Sequence, residues 1–595
     1  MLHLAYVPVM PTQPLLRNQT QKNMKTHITL LLLSGFGGIA VAQNATPDPT
    51  TLMNMGRFDE AKQILTRNAQ QNPGMQTYFD AGYGYLRAGQ PDSARIWFEK
   101  GIPSDEKRVP LNQTGAAITY LVKDDIANAD AKLSAVVDKS KGKNSEILYR
   151  IGEAYTGYLT PGNGSIKPAY PKAVNAAKAI DFLNRAAERD KKNKNAAIQL
   201  ALGDASYLNK DAGTAVSRYE SALEMGMDPS RVYQRIGDIY WQGRNLNLAV
   251  ENYKKAIEAN SSYGPAYNQL AELYFLVNRY KDAANYIDQY VNATHDNRQA
   301  TLLRQAQFHF LAKDFKRAVN LIDSNSTALG QNPIVYRIKG WAYSSLKEPQ
   351  KAIENINTFL EKAPEKAMPD DYKYLGRAYM ETDSASDDSL GAVFLAKAAP
   401  FDTTENLYSD IAKYYYRAKK HPEAVAMLDS AAKHGFKSDV QDLFRYGISN
   451  YTLGFQRDTA GKLVRDTVRF ALADSALALA QQGAPDYAPT VLYRAKSNYY
   501  AYTPEEAVMN GKAKPYFEQF INMVADKEEE RKRYQKDLIL AFKYLIAYND
   551  LVAHDETAQK EWLQKGLSLF PDNKDLTKIA SSEPENTAET DTSKQ

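Results

Sequence analysis

The segment from Arg231 to Tyr290 nearly repeats itself after 34 residues. Tyr233 returns as Tyr267, Gly237 as Ala271, Tyr240 as Tyr274, Ala249 as Ala283 and Tyr253 as Ile287. A fixed period of this length means that one small structural unit is copied along the chain, so the fold must be an array rather than a single globule. Within one copy, Tyr233, Ile236, Gly237 and Tyr240 recur at steps of three and four and share a helical face. A break follows near Gly243 and Asn245, after which Ala249, Tyr253 and Ala256 form the face of a second helix. Gly237 and Ala249 are small and stand one on each helix, so the two axes can approach closely while tyrosines fill the space around them. Neither helix can bury its apolar stripe alone, so each unit needs its neighbours. A generic helical bundle is the alternative, but a bundle has no reason to keep a fixed period.

The small residue of the second helix recurs at Ala61, Ala94, Ala129, Ala179, Ala215, Ala249, Ala283, Ala318 and Ala352. It continues at Leu390, a poor match, and then at Ala424, Ala476, Ala513 and Ala558. From Ala179 to Ala352 the gaps are 36, 34, 34, 35 and 34 residues. Its partners on first helices include Gly82, Gly152, Gly203, Gly237, Ala271, Ala306, Gly340, Gly376, Ala412 and Gly447. This pattern resembles the tetratricopeptide repeat, a helix–turn–helix unit, although the family's closing proline stands only at Pro73 and Pro364. The resemblance implies an all-α, right-handed superhelical α-solenoid of about 13 repeats. It covers 51–575, is strongest over 197–435 and is degenerate over 440–575.

The ends of the chain read differently. Residues 1–23 have scattered prolines and no period, and are expected to be an extension upstream of the true start. Met24 opens a secretory signal: Lys25, an apolar run from Ile28 to Ile39, and the Ala40-Val41-Ala42 cleavage site. That run is too short to span about 30 Å of hydrocarbon comfortably. The expected protein is therefore exported to the periplasm, cleaved after Ala42 and without a membrane span thereafter. Residues 43–50 read as a linker, and 576–595 as a disordered acidic tail too poor in apolar residues to offset its ordering entropy. Four insertions interrupt the array. Gly157 to Lys172 reads as a loop on one edge, Thr382 to Ser389 as an acidic stretch, Gly454 to Asp474 as a helix extension and Tyr502 to Lys512 as a further loop.

Composition removes several classes of function. The 595 residues carry 74 Lys plus Arg against 70 Asp plus Glu, a net charge of +4 with no basic block, which argues against a nucleic-acid binder. There is no cysteine, so disulfides, thiolate nucleophiles, cysteine zinc sites and lipoprotein attachment are excluded. The seven histidines form no metal-binding pair, no serine sits in a strand–turn–helix elbow, and no glycine-rich stretch has the spacing of a phosphate loop. No catalytic residue, metal or cofactor is expected, although a hydrolase hidden in 440–575 is a third reading.

The resemblance implies that first helices line a concave groove and that the residue after the small Gly or Ala points into it. Those residues are Glu153, Asp204, Asp238 and Glu272, then Gln307 and Trp341, then Arg377 and Lys413. They describe a groove acidic in its N-terminal half and basic in its C-terminal half, favouring a partner of opposite polarity. The family's clamp for a C-terminal carboxylate is not matched, because the equivalent positions carry Gln234, Asp238, Asn268 and Glu272. Arg337, Lys373 and Arg377 are placed for an acidic segment. The leading reading is a non-enzymatic exported scaffold for a protein or peptide partner, with cell-envelope machinery among the candidates. The alternative is a glycan- or peptidoglycan-binding envelope protein using Trp241, Phe275, Trp341 and Tyr416. Self-association by end-to-end stacking is a further possibility.

Overall fold

The computed structural model describes residues 47–159, 168–192, 194–382 and 384–582. The expected upstream extension and signal, 1–42, lie outside the described residues, as do 583–595 of the expected tail. Among the described residues thirty-two α-helices follow one another, and successive helices pack as antiparallel neighbours along an all-α solenoid. Twenty-eight of them pair into fourteen units, from Pro49–Met55 with Phe58–Gln71 to Gln535–Tyr548 with Glu556–Leu569, and the short helices Ser326–Leu329, Pro504–Asn510, Glu528–Arg533 and Lys574–Ser582 stand outside the pairs. The short first helix makes the opening unit a reduced cap.

Close approach of the two helices in a unit explains the small residues. Ala61, Ala94, Ala129, Ala179, Ala215, Ala249, Ala283, Ala318, Ala352 and Ala424 are all fully buried. Four residues further on, a large side chain lies directly over the glycine of the first helix. A Cβ added at Gly237 would sit 2.7 Å from the Tyr253 ring, and one at Gly447 would sit 2.6 Å from Leu477. This contact corrects two positions of the pattern. Leu390 is exposed, and the close approach is made by Gly391 against Gly376. In the unit of Gly447 the small residue is Ala473 rather than Ala476, because it is the Ala473 carbonyl that lies against the glycine.

The turn inside each unit is equally regular. Lys210, Arg244, Asn278, Lys313, Lys347 and Lys419 have φ between 58° and 64°. Each stands seven residues after the small residue of its first helix. The side chain that opens the next helix is often Asp or Asn: Asp211, Asn245 and Asp314 accept the backbone N–H of Thr214, Leu248 and Arg317. All four insertions begin at this turn, so they gather on one edge of the solenoid.

Their structures differ from the sequence reading. Gly454 to Asp474 lengthens its helix only from Thr467 onward and is not helical before that. It forms a hairpin of β1 (Phe455–Arg457) and β2 (Leu463–Arg465), paired antiparallel, and the helix Thr467–Gly483 starts after it. Asp458 accepts from the N–H groups of Ala460 and Lys462 and fixes the hairpin loop, while Asp466 caps the helix. Tyr502 to Lys512 contains the short helix Pro504–Asn510, held by a Thr503–Glu506 capping box. The base of the first insertion is packed inward: Leu159 and Tyr170 are buried, and the Tyr170 hydroxyl donates to the Ala154 carbonyl at 2.8 Å. The expected tail from 576 is also corrected, since Lys574–Ser582 is helical. Leu576 is buried against Gly566 and Phe542, and Ile579 and Ala580 pack on the same core, so three apolar residues seat the terminal helix.

The first seven units turn back on themselves. His295 Nδ1 lies 3.1 Å from Glu60 Oε1, and a Cβ at Gly264 would meet the Met55 carbonyl at 2.7 Å. The first unit thus touches the seventh, Gly264–Leu276 with Tyr280–Thr294.

Candidate functional site

The inner face of that first turn is filled. The Tyr83 hydroxyl donates to Glu153 Oε2 at 2.9 Å, although their helices belong to the second and fourth units. Arg150 places its guanidinium 4.3 Å from the Tyr83 ring and reaches both Glu146 and Glu153. Arg235, of the sixth unit, lies 4.9 Å over the Tyr158 ring at the base of the first insertion. Units two apart are therefore tied together across the inside of the curve.

The acidic residues expected to line an open groove are committed to this packing. Asp204 is buried and accepts from the Tyr219 hydroxyl at 2.8 Å, with Arg235 Nε 2.9 Å away. Asp238 is buried in the same manner: it accepts from the Tyr253 hydroxyl at 2.8 Å and from Gln234 at 3.2 Å. In both units the tyrosine that lies under the glycine sends its hydroxyl to the acid next to that glycine. Burial pushes the Asp204 carboxyl up and raises Asp238 to about 7, against the opposing attraction of Arg235. Glu153 is half-buried under Tyr83 and Tyr149, and Glu272 is half-buried, its carboxyl raised by burial, with Arg304 at 3.9 Å.

The basic half shows the same economy of charge. Arg337 is buried and donates to both oxygens of Asp371, at 2.9 and 2.8 Å. Trp341 is buried and its indole Nε1 donates to the same carboxylate at 3.1 Å. Lys373 is buried among Asp370, Asp402 and Glu405, at 3.1, 2.9 and 3.4 Å. Although its burial works against the charge, these acids hold the ammonium well above its usual range. Arg377 is half-buried and bound to Glu405. Trp241 is half-buried in the core of its unit, and Phe275 stacks on Phe308 with centroids 4.8 Å apart. Gln307 is half-buried, and Lys413 is exposed. An acid-to-base gradient of free charges is thus not what the inner face presents, because each buried charge needs a partner and finds it inside the chain. The spacing of Gly203-Asp204 with Tyr219, and of Gly237-Asp238 with Tyr253, is the signal that would have shown these acids to be structural.

The fold and this inner face define an α-solenoid of stacked helix pairs with a concave surface made by first helices. Residues 230–263 match the model of the tetratricopeptide repeat family. That segment is a tetratricopeptide repeat, and the helix pairs stacked on either side of it repeat the same antiparallel form. No curated protein matches it. It is similar to the C-terminal part of a tetratricopeptide repeat-containing protein from Cytophaga hutchinsonii, with 23% identity over 46% of this chain and 98% of that one, at a TM-score of 0.31. It is also similar to YrrB, described as a tetratricopeptide repeat protein with an unusual peptide-binding site, with 16% identity over 32% and 94% of the two chains and a TM-score of 0.27. Yeast Tom70 is a longer match, with 15% identity over 82% and 99% and a TM-score of 0.25.

Proposed function

We propose that the chain is a non-catalytic scaffold that holds a protein or peptide partner along its inner face between Gln307 and Lys413. The tetratricopeptide repeat fold supports an interaction scaffold as the general class. The observation that carries the narrower reading is the distribution of accessible side chains. The first turn is tied across its inside by Tyr83–Glu153 and Arg235–Tyr158, whereas Gln307, Arg377, Lys413 and Tyr416 keep exposed surface. The glycan reading is less well supported, since Trp341, the broadest flat surface it needs, is buried and hydrogen-bonded to Asp371.

A photo-crosslinking residue placed at Gln307 or at Lys413 should capture one and the same partner in cells. The same residue at Lys281, on an outer helix, should capture nothing above background. Equal capture from all three positions would overturn the groove assignment. Export into the periplasm is part of the proposal and rests on the sequence between Met24 and Ala42. N-terminal sequencing of the protein from its native cells should begin at Gln43, and cell-envelope components should be among the captured neighbours. No helix among the described residues is long and apolar enough to cross a membrane.

A further inference from the structure

The helix Thr467–Gly483 is the longest described, with 17 residues, and it is the second helix of its unit. Phe470, Ala473, Leu477 and Ala480 face the core. Its outward residues Val468, Ala471, Leu472, Ser475, Leu479 and Gln482 include no charge. Val468, Leu472 and Leu479 are 67%, 38% and 52% exposed and share one face by helical spacing. The two charged residues of the helix are half-buried and engaged elsewhere: Arg469 donates to Asn450 at 2.8 Å, and Asp474 accepts from Arg494 at 2.8 Å. Every earlier second helix, from Phe58–Gln71 to His421–Lys433, exposes at least one charged residue.

The neutral surface extends at both sides. Leu463 and Val464 of β2 are 41% and 44% exposed on opposite faces of the hairpin, so one of them adds to the apolar surface near the helix start. Lys514–Val524, alongside, exposes Pro515, Gln519 and Asn522, and Gln481 bridges to Gln519 at 3.1 Å. The two ends of the stripe differ in net charge: the hairpin end carries Arg457, Lys462 and Arg465 against Asp458 and Asp466, whose carboxylates cap backbone N–H groups, and the other end carries Asp486. Exposed Lys462 at the hairpin end makes no salt bridge among the described residues, half-buried Arg465 beside it acts on Glu506, and exposed Asp486 at the other end makes no salt bridge either.

We propose that this face pairs with the same face of a second copy, with the two Thr467–Gly483 helices antiparallel about a two-fold axis near Ser475. An isologous contact requires a patch complementary to itself, and a neutral apolar centre with opposite charges at its ends is that in the antiparallel sense. The arrangement puts Lys462 and Arg465 opposite Asp486 of the partner copy and opposes the two helix dipoles. Ala471 and Ser475 at the centre let the helices approach. A helix of this length spans about 25 Å. One such face falls short of the roughly 800 Å² per partner of a standard interface, so the hairpin and Lys514–Val524 must join it and the dimer is weak. The contact lies on outer helices and leaves the inner face free, so it is independent of the proposed groove.

Sedimentation equilibrium of the purified chain should show a monomer–dimer equilibrium that shifts with micromolar protein. Leu472→Glu should raise the dissociation constant at least tenfold, and the milder Leu472→Gln severalfold, with the unfolding midpoint of each unchanged. Because the chain has no cysteine, Ser475→Cys introduces a single thiol. On oxidation it should give a covalent dimer, whereas Lys281→Cys should not. A monomer at all concentrations, a dimer indifferent to Leu472→Glu, or equal cross-linking through both cysteines would overturn the proposal. So would a monomer that binds anionic vesicles through this face, since a lipid surface would then be its occupant.

Discussion

At the scale of single residues, the unit is held by a contact between backbone and ring. Gly237 has no Cβ because Tyr253 occupies the place, and the ring is oriented by its hydroxyl bond to Asp238. Gly237→Ala gains helix propensity of about 1 kcal/mol but drives a methyl into the ring, where overpacking costs about 1–3 kcal/mol. The expected result is a lower unfolding midpoint, read by circular dichroism. Asp238 allows a sharper test. Its folded pKa is raised to about 7 by burial, so between the ordinary value of 3.8 and that value the native state holds a proton that the unfolded chain has lost. Stability from this group is therefore full only below the ordinary value of 3.8, falls as the pH rises through the window, and levels off above about 7. Asp238→Asn stays neutral throughout. Its stability relative to the parent should rise between pH 4 and pH 7, measured by denaturant unfolding at the two ends. A difference that does not change with pH would mean that Arg235 keeps the carboxylate ionised.

At the scale of elements, the turn within many units uses a left-handed residue, and in five of them that residue is Lys or Arg rather than Gly. A side chain in this region costs about 1 kcal/mol, which glycine avoids at the expense of some unfolded-state entropy. Lys210 and Lys313 are exposed and make no salt bridge among the described residues. Lys210→Gly and Lys313→Gly together should therefore stabilise the array by about 0.5–1 kcal/mol, seen as a higher midpoint. The same turn shows what could be read in advance. The period, the buried alanines and the facing glycines were legible because each is dictated by one local contact repeated many times. The hairpin was not, because Leu463, Val464, Val468 and Leu472 fit a helical spacing as well, and only the backbone pairing of β1 with β2 decides. Leu390 misled for a related reason: the insertion before it slides the register by one, and Gly391 makes the contact. The inner-face residues misled most, since a position that points inward says nothing about whether a tyrosine or arginine from two units away already occupies the space.

At the scale of the whole molecule, a solenoid is commonly a one-dimensional object in which each unit feels only its neighbours. Here the first and seventh units also touch, through Glu60 with His295 and through Gly264 beneath Met55. The His295–Glu60 contact is largely exposed and contributes little by itself. The backbone approach at Gly264 is more demanding, because any side chain there meets the Met55 carbonyl and Thr294. Gly264→Leu should hence separate the two units without disturbing units further along. Hydrogen exchange is the suitable measurement, since it reports opening element by element. Exchange in Pro49–Met55 and in Tyr280–Thr294 should become faster, while Thr467–Gly483 should be unaffected. Small-angle scattering should show a larger radius of gyration. If protection fell along the entire chain, the closure would be part of one cooperative fold. If only Tyr280–Thr294 responded, the first unit would be held by its sequence neighbour alone, and the ring would not constrain the inner face.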